Sequence, residues 1–364
     1  MRRLFPAFFA LAVQALSCAT VPPQPPPDTS PVTRGPAVAD HVIVISVDGL
    51  RPDAIEPAGA MHLQGLIRRG AFCPKAETVN PSVTLPSHTS MLTGFNFPRH
   101  GVVWNNYRPG HIGHATVLSV ASRAGLSTAM FFSKEKFHYL ADPRWVNFIY
   151  GNPLPRLIEP EEDHTDPAWL AEEEDRLMAF ETGRAYSPLR PRLWLSPPRP
   201  FGWIYDPKTE AGALSKAFAE QWPRKLYAMT FVHFREPDEA GHGYRWMSAR
   251  YFDAVRKVDT AIGRIVEAVS RAGRLEKTAI IVSADHGGMK GGKNHFIPSD
   301  PVRVENMRIP WICAGPGVPA GLVIDRVVRT YDTAPTALAF LGLPPPHGID
   351  GRAVREVFPV GAGR

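Results

Sequence analysis

Cysteine is scarce in this chain: three residues in 364, at positions 18, 73 and 313. Two beyond the N-terminal region are too few for a disulfide framework. Cys73 and Cys313 lie in apolar, strand-like segments and read as buried free thiols, with a single bridge as the alternative in an exported chain. Runs of Lys or Arg are also missing, although the formal charge is +6. Without a basic arm, specific nucleic-acid binding is not expected. The apolar segment at residues 4–16 is broken by Pro6 and Gln14 and is too short to span a bilayer comfortably. Apolar content of 44% and charged content of 21% are those of an ordinary globular protein, large enough for one big core or two smaller ones.

What stands at the N-terminus instead is a secretory leader over residues 1–18. Arg2 and Arg3 form its positive end, and their removal would leave a charge of +4. Ala15-Leu16-Ser17-Cys18 resembles a bacterial lipobox, in which Cys18 would carry the lipid anchor; ordinary signal cleavage is the competing reading. Residues 19–40 follow as a tether, with seven Pro between 19 and 39 and no apolar periodicity. The expected location is therefore the periplasm or, through a lipid anchor, the outer membrane of a bacterium.

From residue 41 to about 357 the chain reads as one folded unit. The run HVIVISV at 41–47 is continuously apolar and β-branched, as suits a strand covered on both faces. Further strands are expected at 72–79, 126–132, 226–233, 278–284 and 309–314. Helices are expected at 58–70, 84–93, 115–124, 248–272 and 333–341. In the long helix the apolar face comprises Phe252, Val255, Val258, Ile262, Ile265 and Val269. Strands alternating with helices imply an α/β fold with a largely parallel sheet. The pattern breaks from about 138 to 208, a stretch rich in Pro, Trp and acidic residues, read as an inserted lid; a long solvated loop is the plain alternative.

In parallel sheets the site lies beyond the carboxyl ends of the strands, where Asp48, Asp238 and Asp285 all fall. Glu236-Pro237-Asp238-Glu239-Ala240-Gly241-His242 places a carboxylate and an imidazole four residues apart, on one face if the segment is helical. Asp285-His286-Gly287-Gly288 places two more ligand types at a strand end, with Gly giving the backbone room. His295 sits in a Gly-rich loop. Thr84, just ahead of Leu85 and Pro86, reads as the N-cap or first residue of the helix that Gly94 stops, where free N–H groups and the helix dipole attract an anion. Each feature alone is ordinary. Together they suit two divalent metals roughly 4 Å apart, clamping the attacking and leaving oxygens of a phosphoryl displacement.

VDGLRPD, TLPSHTSMLTG, HGVVWNN, EPDEAGH, SADHGG and NMRIPWICAGPGV resemble the type I phosphodiesterase/nucleotide pyrophosphatase branch of the alkaline phosphatase superfamily, over roughly residues 41 to 355. The resemblance implies an alkaline-phosphatase-like, mostly parallel sheet flanked by helices, two zinc ions and a Thr nucleophile. Asp48, Thr84, Asp285 and His286 would bind one metal; Asp238, His242 and His295 the other, with His347 as rival to His295. Asn105 would hydrogen-bond a non-bridging phosphate oxygen, aided by backbone N–H groups at the helix start. The substrate would be a small phosphorylated molecule, attacked by Thr84 to give a phospho-Thr84 intermediate.

Three functions follow. A phosphodiesterase or nucleotide pyrophosphatase would use Phe95, Trp104, Tyr107 or Tyr244 to stack a base. A phosphate monoesterase would use Lys134 and Lys136, whose spacing resembles the K-x-R pair that holds a dianion in some Thr-dependent monoesterases. A non-catalytic envelope metal binder is the third. A sulfatase fits less well, because that branch looks for C/S-x-P-x-R, and here Thr84 starts the pattern and His88 stands at the Arg position. His88, His100, His111, His114 and His233 are expected to be structural or to support the ligands.

Overall fold

The computed structural model describes residues 28–152, 203–205, 210–295 and 304–359. The leader, the first part of the tether and most of the expected insertion lie outside the described residues. Among the described residues nine strands form one sheet: β1 (His41–Val47), β2 (Ala71–Glu77), β3 (Thr128–Phe132), β4 (Phe148–Gly151), β5 (Trp203–Tyr205), β6 (Met229–Phe234), β7 (Thr278–Ser283), β8 (Arg308–Ala314) and β9 (Leu322–Val323). Their order is β5-β4-β3-β6-β1-β7-β8-β2-β9. Only β8 runs against its neighbours, pairing antiparallel with β7 and β2. The helices are α1 (Met61–Arg69), α2 (Thr84–Thr93), α3 (Val117–Arg123), α4 (Ala211–Lys225), α5 (Glu236–Tyr244), α6 (Ala249–Arg271), the single turn α7 (Val304–Met307) and α8 (Thr333–Phe340).

The expected strands and helices are present with small shifts of boundary. The apolar runs explain the centre of the sheet: every residue of β1, β6 and β7 is buried, as strands covered on both faces require. One difference concerns the break in pattern expected from 138. β4 and β5 both fall inside that stretch, yet β4 pairs parallel with β3 and β5 with β4. The short run Phe148–Gly151 carries too few residues to show a period, and only its partner identifies it as a strand. A second difference lies on α6. Phe252, expected on the buried face, is only half-buried, while its neighbour Tyr251 is fully buried. A tyrosine can occupy that interior position because its hydroxyl finds the Gly49 carbonyl at 2.8 Å. Cys73 and Cys313 are buried free thiols.

Register places the site. Ser46 on β1 pairs with His233 on β6 and with Ser283 on β7. The carboxyl ends of the three central strands are therefore level, and the loops that follow them leave the sheet together. No helix among the described residues is long and apolar enough to cross a membrane.

Ile281 lies on β7 between β1 and β8 and is fully buried. Ile281→Ala should cost about 2–5 kcal/mol of stability, checked by urea unfolding.

Candidate active site and metal centre

Asp48 is the residue after β1, and Asp285 lies two residues beyond β7. Asp238 and His242 ride on α5, which begins two residues after the end of β6 and brings them to one face: His242 Nε2 is 3.3 Å from Asp238 Oδ1. His286 Nε2 lies 3.2 Å from Asp48 Oδ1, 3.4 Å from Asp285 Oδ2 and 3.8 Å from Asp238 Oδ1. His295 arrives from the Gly-rich loop, with Nε2 3.9 Å from Asp238 Oδ1 and its ring stacked on His286 at 3.6 Å. His347, the rival, is exposed. The six residues Asp48, Asp238, His242, Asp285, His286 and His295, drawn from four separate stretches, thus converge. Asp238, His242 and His295 form one group of suitable ligand atoms; Asp48, Asp238 and His286 form another.

Thr84 is the first residue of α2, with Val83 as N-cap. Its placement follows from the next turn of the helix. Ser87 Oγ donates to the Asp285 carbonyl at 2.7 Å, and His88 Nδ1 lies 3.6 Å from Asp285 Oδ2. His88 Nδ1–H donates to the Thr84 carbonyl at 2.7 Å, so its Nε2 accepts from Ser46 Oγ at 2.7 Å. The whole helix is buried, and two of its hydroxyls are satisfied locally: Thr89 and Thr93 bond back to the Leu85 and Thr89 carbonyls. Asn105 Oδ1 accepts from Leu85 N–H at 2.9 Å, so its carboxamide lies at the start of the helix that bears Thr84. The expected row of helix-start donors is shorter than the sequence suggests. Leu85 N–H is committed to Asn105, Ser87 N–H to the Val83 carbonyl, and Pro86 has none, so Thr84 N–H is what the first three positions leave.

The three carboxylates share one pattern. Asp48 Oδ2 accepts from Lys134 Nζ (2.6 Å) and His233 Nε2 (3.1 Å); Asp238 Oδ2 accepts from Lys134 Nζ (2.7 Å); Asp285 Oδ1 accepts from Gly49 N–H (3.2 Å) and His286 N–H (3.0 Å). The other oxygens, Asp48 Oδ1, Asp238 Oδ1 and Asp285 Oδ2, are buried without a hydrogen-bond partner, as is His286 Nε2. His286 Nδ1 faces the Gly287 carbonyl at 2.9 Å and His295 Nδ1 the Ser82 carbonyl at 2.6 Å, so each ring, when neutral, turns an Nε2 lone pair inward. Lone pairs do not crowd together in a dry interior unless a cation lies among them. The donor set, carboxylate oxygen and imidazole nitrogen, suits zinc or a similar divalent ion.

Protonation tells the same story. Burial alone would lower His286, but Asp285 and then Asp48 outweigh it and raise it to about 9. Burial and the Asp48 charge push Asp285 well above the usual carboxylate range. Burial would also raise Asp48, yet Lys134 holds it well below that range. Without metal, the site gathers protons in place of cations.

The residues that hold the carboxylates were only partly legible in the sequence. His233, expected to be structural or to support the ligands, does support one: its Nε2 bonds Asp48, and burial holds its pKa down to about 4, so it acts as a neutral donor. Lys134, read as a phosphate binder, bridges Asp48 and Asp238. Its own pKa, which burial alone would lower, is raised by Asp238 and Asp48. Lys136 is half-buried, its pKa brought down to about 8 by burial and then by Lys134. Among the aromatics, Trp104 packs on Tyr139 at 5.3 Å beneath Arg108, Phe95 packs on His114, and Tyr244 is 61% exposed. No periodicity marks a Lys that meets residues 86 and 104 positions away.

Three aspartates and three histidines lie at the carboxyl edge of a mostly parallel sheet, beside a buried helix that starts with Thr, and the sheet and its helices form an alkaline-phosphatase-like fold. The family described as type I phosphodiesterase / nucleotide pyrophosphatase matches residues 42–320, and the chain belongs to it. Among curated relatives, arylsulfatase K of Homo sapiens is 31% identical over 319 residues, covering 78% of this chain and 58% of that protein. Bis(5'-adenosyl)-triphosphatase enpp4 of Mus musculus is 23% identical over 269 residues, covering 72% and 50%. The chain thus spans between half and three fifths of the length of these two relatives, and less of others, down to 10% of a Drosophila melanogaster extracellular sulfatase homologue. Murine ectonucleotide pyrophosphatase / phosphodiesterase 5, solved as an inactive variant in complex with AMP, superposes with a TM-score of 0.59 at 13% identity over 85% of this chain and 97% of that one. A phosphonate monoester hydrolase from Silicibacter pomeroyi gives 0.57 at 20% identity over 89% and 78%. At these identities the two structures support the fold.

Gly49 has φ +68, and a Cβ there would lie 2.9 Å from Asp238 Cα. Gly110 has φ +95 with nothing within 4 Å. Gly49→Ala should therefore lower metal affinity, while Gly110→Ala, with only the backbone strain, should leave it unchanged; a zinc titration of both checks this.

The raised His286 pKa carries a sign. Its charged form stabilises the metal-free fold fully below about 6.5, and that stability is lost as pH rises through about 9. Urea unfolding with chelator should show stability falling over this window, and His286→Asn should remove the fall. Saturating zinc should remove it too, because the cation replaces the proton.

Proposed function

We propose that the protein is a two-metal phosphoesterase that hydrolyses phosphodiester or nucleotide pyrophosphate bonds through a phospho-Thr84 intermediate. The observation that carries this is the shared carboxylate pattern, one oxygen held by donors and the other orphaned, at the edge where the helix bearing Thr84 begins. Asp48, Asp285, His286 and Thr84 would hold one divalent ion, and Asp238, His242 and His295 the other. Two bound zinc ions would lower the pKa of the hydroxyl and neutralise charge on the leaving oxygen. Thr84 Oγ1 then attacks phosphorus, and the bond to the leaving group breaks. Water hydrolyses the phosphothreonine and restores the hydroxyl. Asn105 Nδ2 and Thr84 N–H donate to the non-bridging oxygens as charge builds there.

A monoester preference would need Lys134 and Lys136 to share a dianionic phosphate. Lys134 is bound to Asp48 and Asp238 at 2.6 and 2.7 Å, which favours the diester reading. At the position where a sulfatase would carry Arg, His88 is buried and burial lowers its pKa well below the ordinary value, so it brings no cation. The AMP held by the murine neighbour supports a nucleotide-sized substrate. The leader and Cys18 support export to the periplasm, with lipid anchoring at Cys18.

Hydrolysis of bis-p-nitrophenyl phosphate and of a dinucleotide should exceed that of p-nitrophenyl phosphate and should stop with chelator. Thr84→Ala should lower turnover by on the order of 10³-fold or more while retaining metal. Preference for the monoester, abolished by Lys134→Ala or Lys136→Ala, would overturn the diester reading. Bound zinc with no hydrolysis of any aryl phosphate would leave a metal-binding protein.

A further inference from the structure

Trp246 sits between α5 and α6, is 1% exposed and carries none of the expected ligands. Its indole nevertheless reaches each stretch that supplies them. Nε1–H donates at 3.0 Å to the carbonyl of Gly49, the residue after Asp48. A Cβ on Gly241, between Asp238 and His242 on α5, would lie 2.5 Å from the ring. A Cβ on Gly288, two residues past His286, would lie 2.2 Å from it. The imidazoles of His242 and His295 meet the ring edge-on, at centroid distances of 5.1 and 5.9 Å. The main chain is strapped as well: Trp246 N–H donates to Gly292 O at 2.9 Å, and Gly291 N–H to Trp246 O at 3.0 Å, both in the loop that leads to His295.

The backbone around it is strained. Arg245 and Met247, on either side, have φ of +79 and +65; Leu226 is the other non-glycine residue with positive φ among the described residues. Bulky side chains rarely adopt this region, and such strain persists where the surroundings over-determine a conformation. The indole is rigid, and glycine on two of the surfaces it meets lets backbone approach the ring closely.

We infer that Trp246 is a positioning residue for the metal centre. It wedges apart the stretches that carry Asp48, Asp238/His242 and Asp285/His286 at a fixed spacing and braces the Asp238–His242–His295 ligand set above all. The inference rests on the two-metal reading proposed above. Residues that orient metal ligands are worth about 10–100-fold in affinity, whereas a residue that only fills the core changes stability and leaves the affinity of the folded protein alone.

The test is zinc titration of the metal-stripped full chain against a competing chromophoric chelator, at a temperature where circular dichroism shows each variant folded. Trp246→Leu should lose about 10–100-fold in affinity at one of two sites. Trp222→Leu removes an equally buried indole on α4 and should bind as wild type. Gly241→Ala should weaken binding by pressing a methyl into the ring, and adding Trp246→Leu to Gly241→Ala should restore affinity relative to Gly241→Ala alone. If Trp246→Leu does not fold, Trp246→Phe, which loses the bond to Gly49, and Gly241→Ala carry the comparison. Wild-type affinity in Trp246→Leu at both sites, or losses that simply add in the double variant, would overturn the wedge while leaving two-metal binding intact. A wild-type chain that takes up no zinc would overturn the two-metal reading and the wedge with it.

Discussion

Mutual repulsion among three buried carboxylates is the constraint on which this structure turns. Asp48, Asp238 and Asp285 meet in a dry interior, where like charges interact several times more strongly than in water. Such a cluster is tenable only with cations among the oxygens. Lys134 supplies one, lying on Asp48 and Asp238 together. A protonated His286 supplies another when metal is absent, and burial beside Asp48 favours the neutral form of Asp285. The oxygens that no donor reaches mark where divalent ions would complete the balance.

The sheet exists in a form that makes this encounter unavoidable. β6, β1 and β7 are adjacent, parallel and level at their carboxyl ends, so residues distant in sequence emerge side by side. Around them stands a second layer of fixed groups: His233 on Asp48, the Gly49 and His286 amides on Asp285, and the Ser82 and Gly287 carbonyls on the two imidazoles. These bonds choose which oxygen and which ring nitrogen faces inward. A site held this way loses little on ion binding to reorganisation, the condition for pre-organised electrostatic catalysis.

Lys134 shows how much a contact adds to a motif. Its ammonium spans Asp48 and Asp238 and lacks the fork geometry with which Arg would hold a carboxylate or phosphate.

Much was legible in the chain alone. Continuous β-branched runs marked the buried strands, Gly94 and Pro86 bounded the helix of Thr84, and Asp or His beside Gly at strand ends marked the ligands, because parallel sheets expose their carboxyl ends to ligands. His295 could be named, but its choice over His347 needed the fold, since both sit in Gly- or Pro-rich turns. Tertiary structure alone decided that Tyr251 is buried in place of Phe252, that β4 belongs to the sheet, that Lys134 spans two aspartates and that Trp246 fills the gap between loops. The physical reason is the same in each case. Periodicity and turn chemistry are local properties and leave a local trace, whereas a hydrogen bond or ring contact between residues dozens to hundreds of positions apart depends on register, which no single segment encodes.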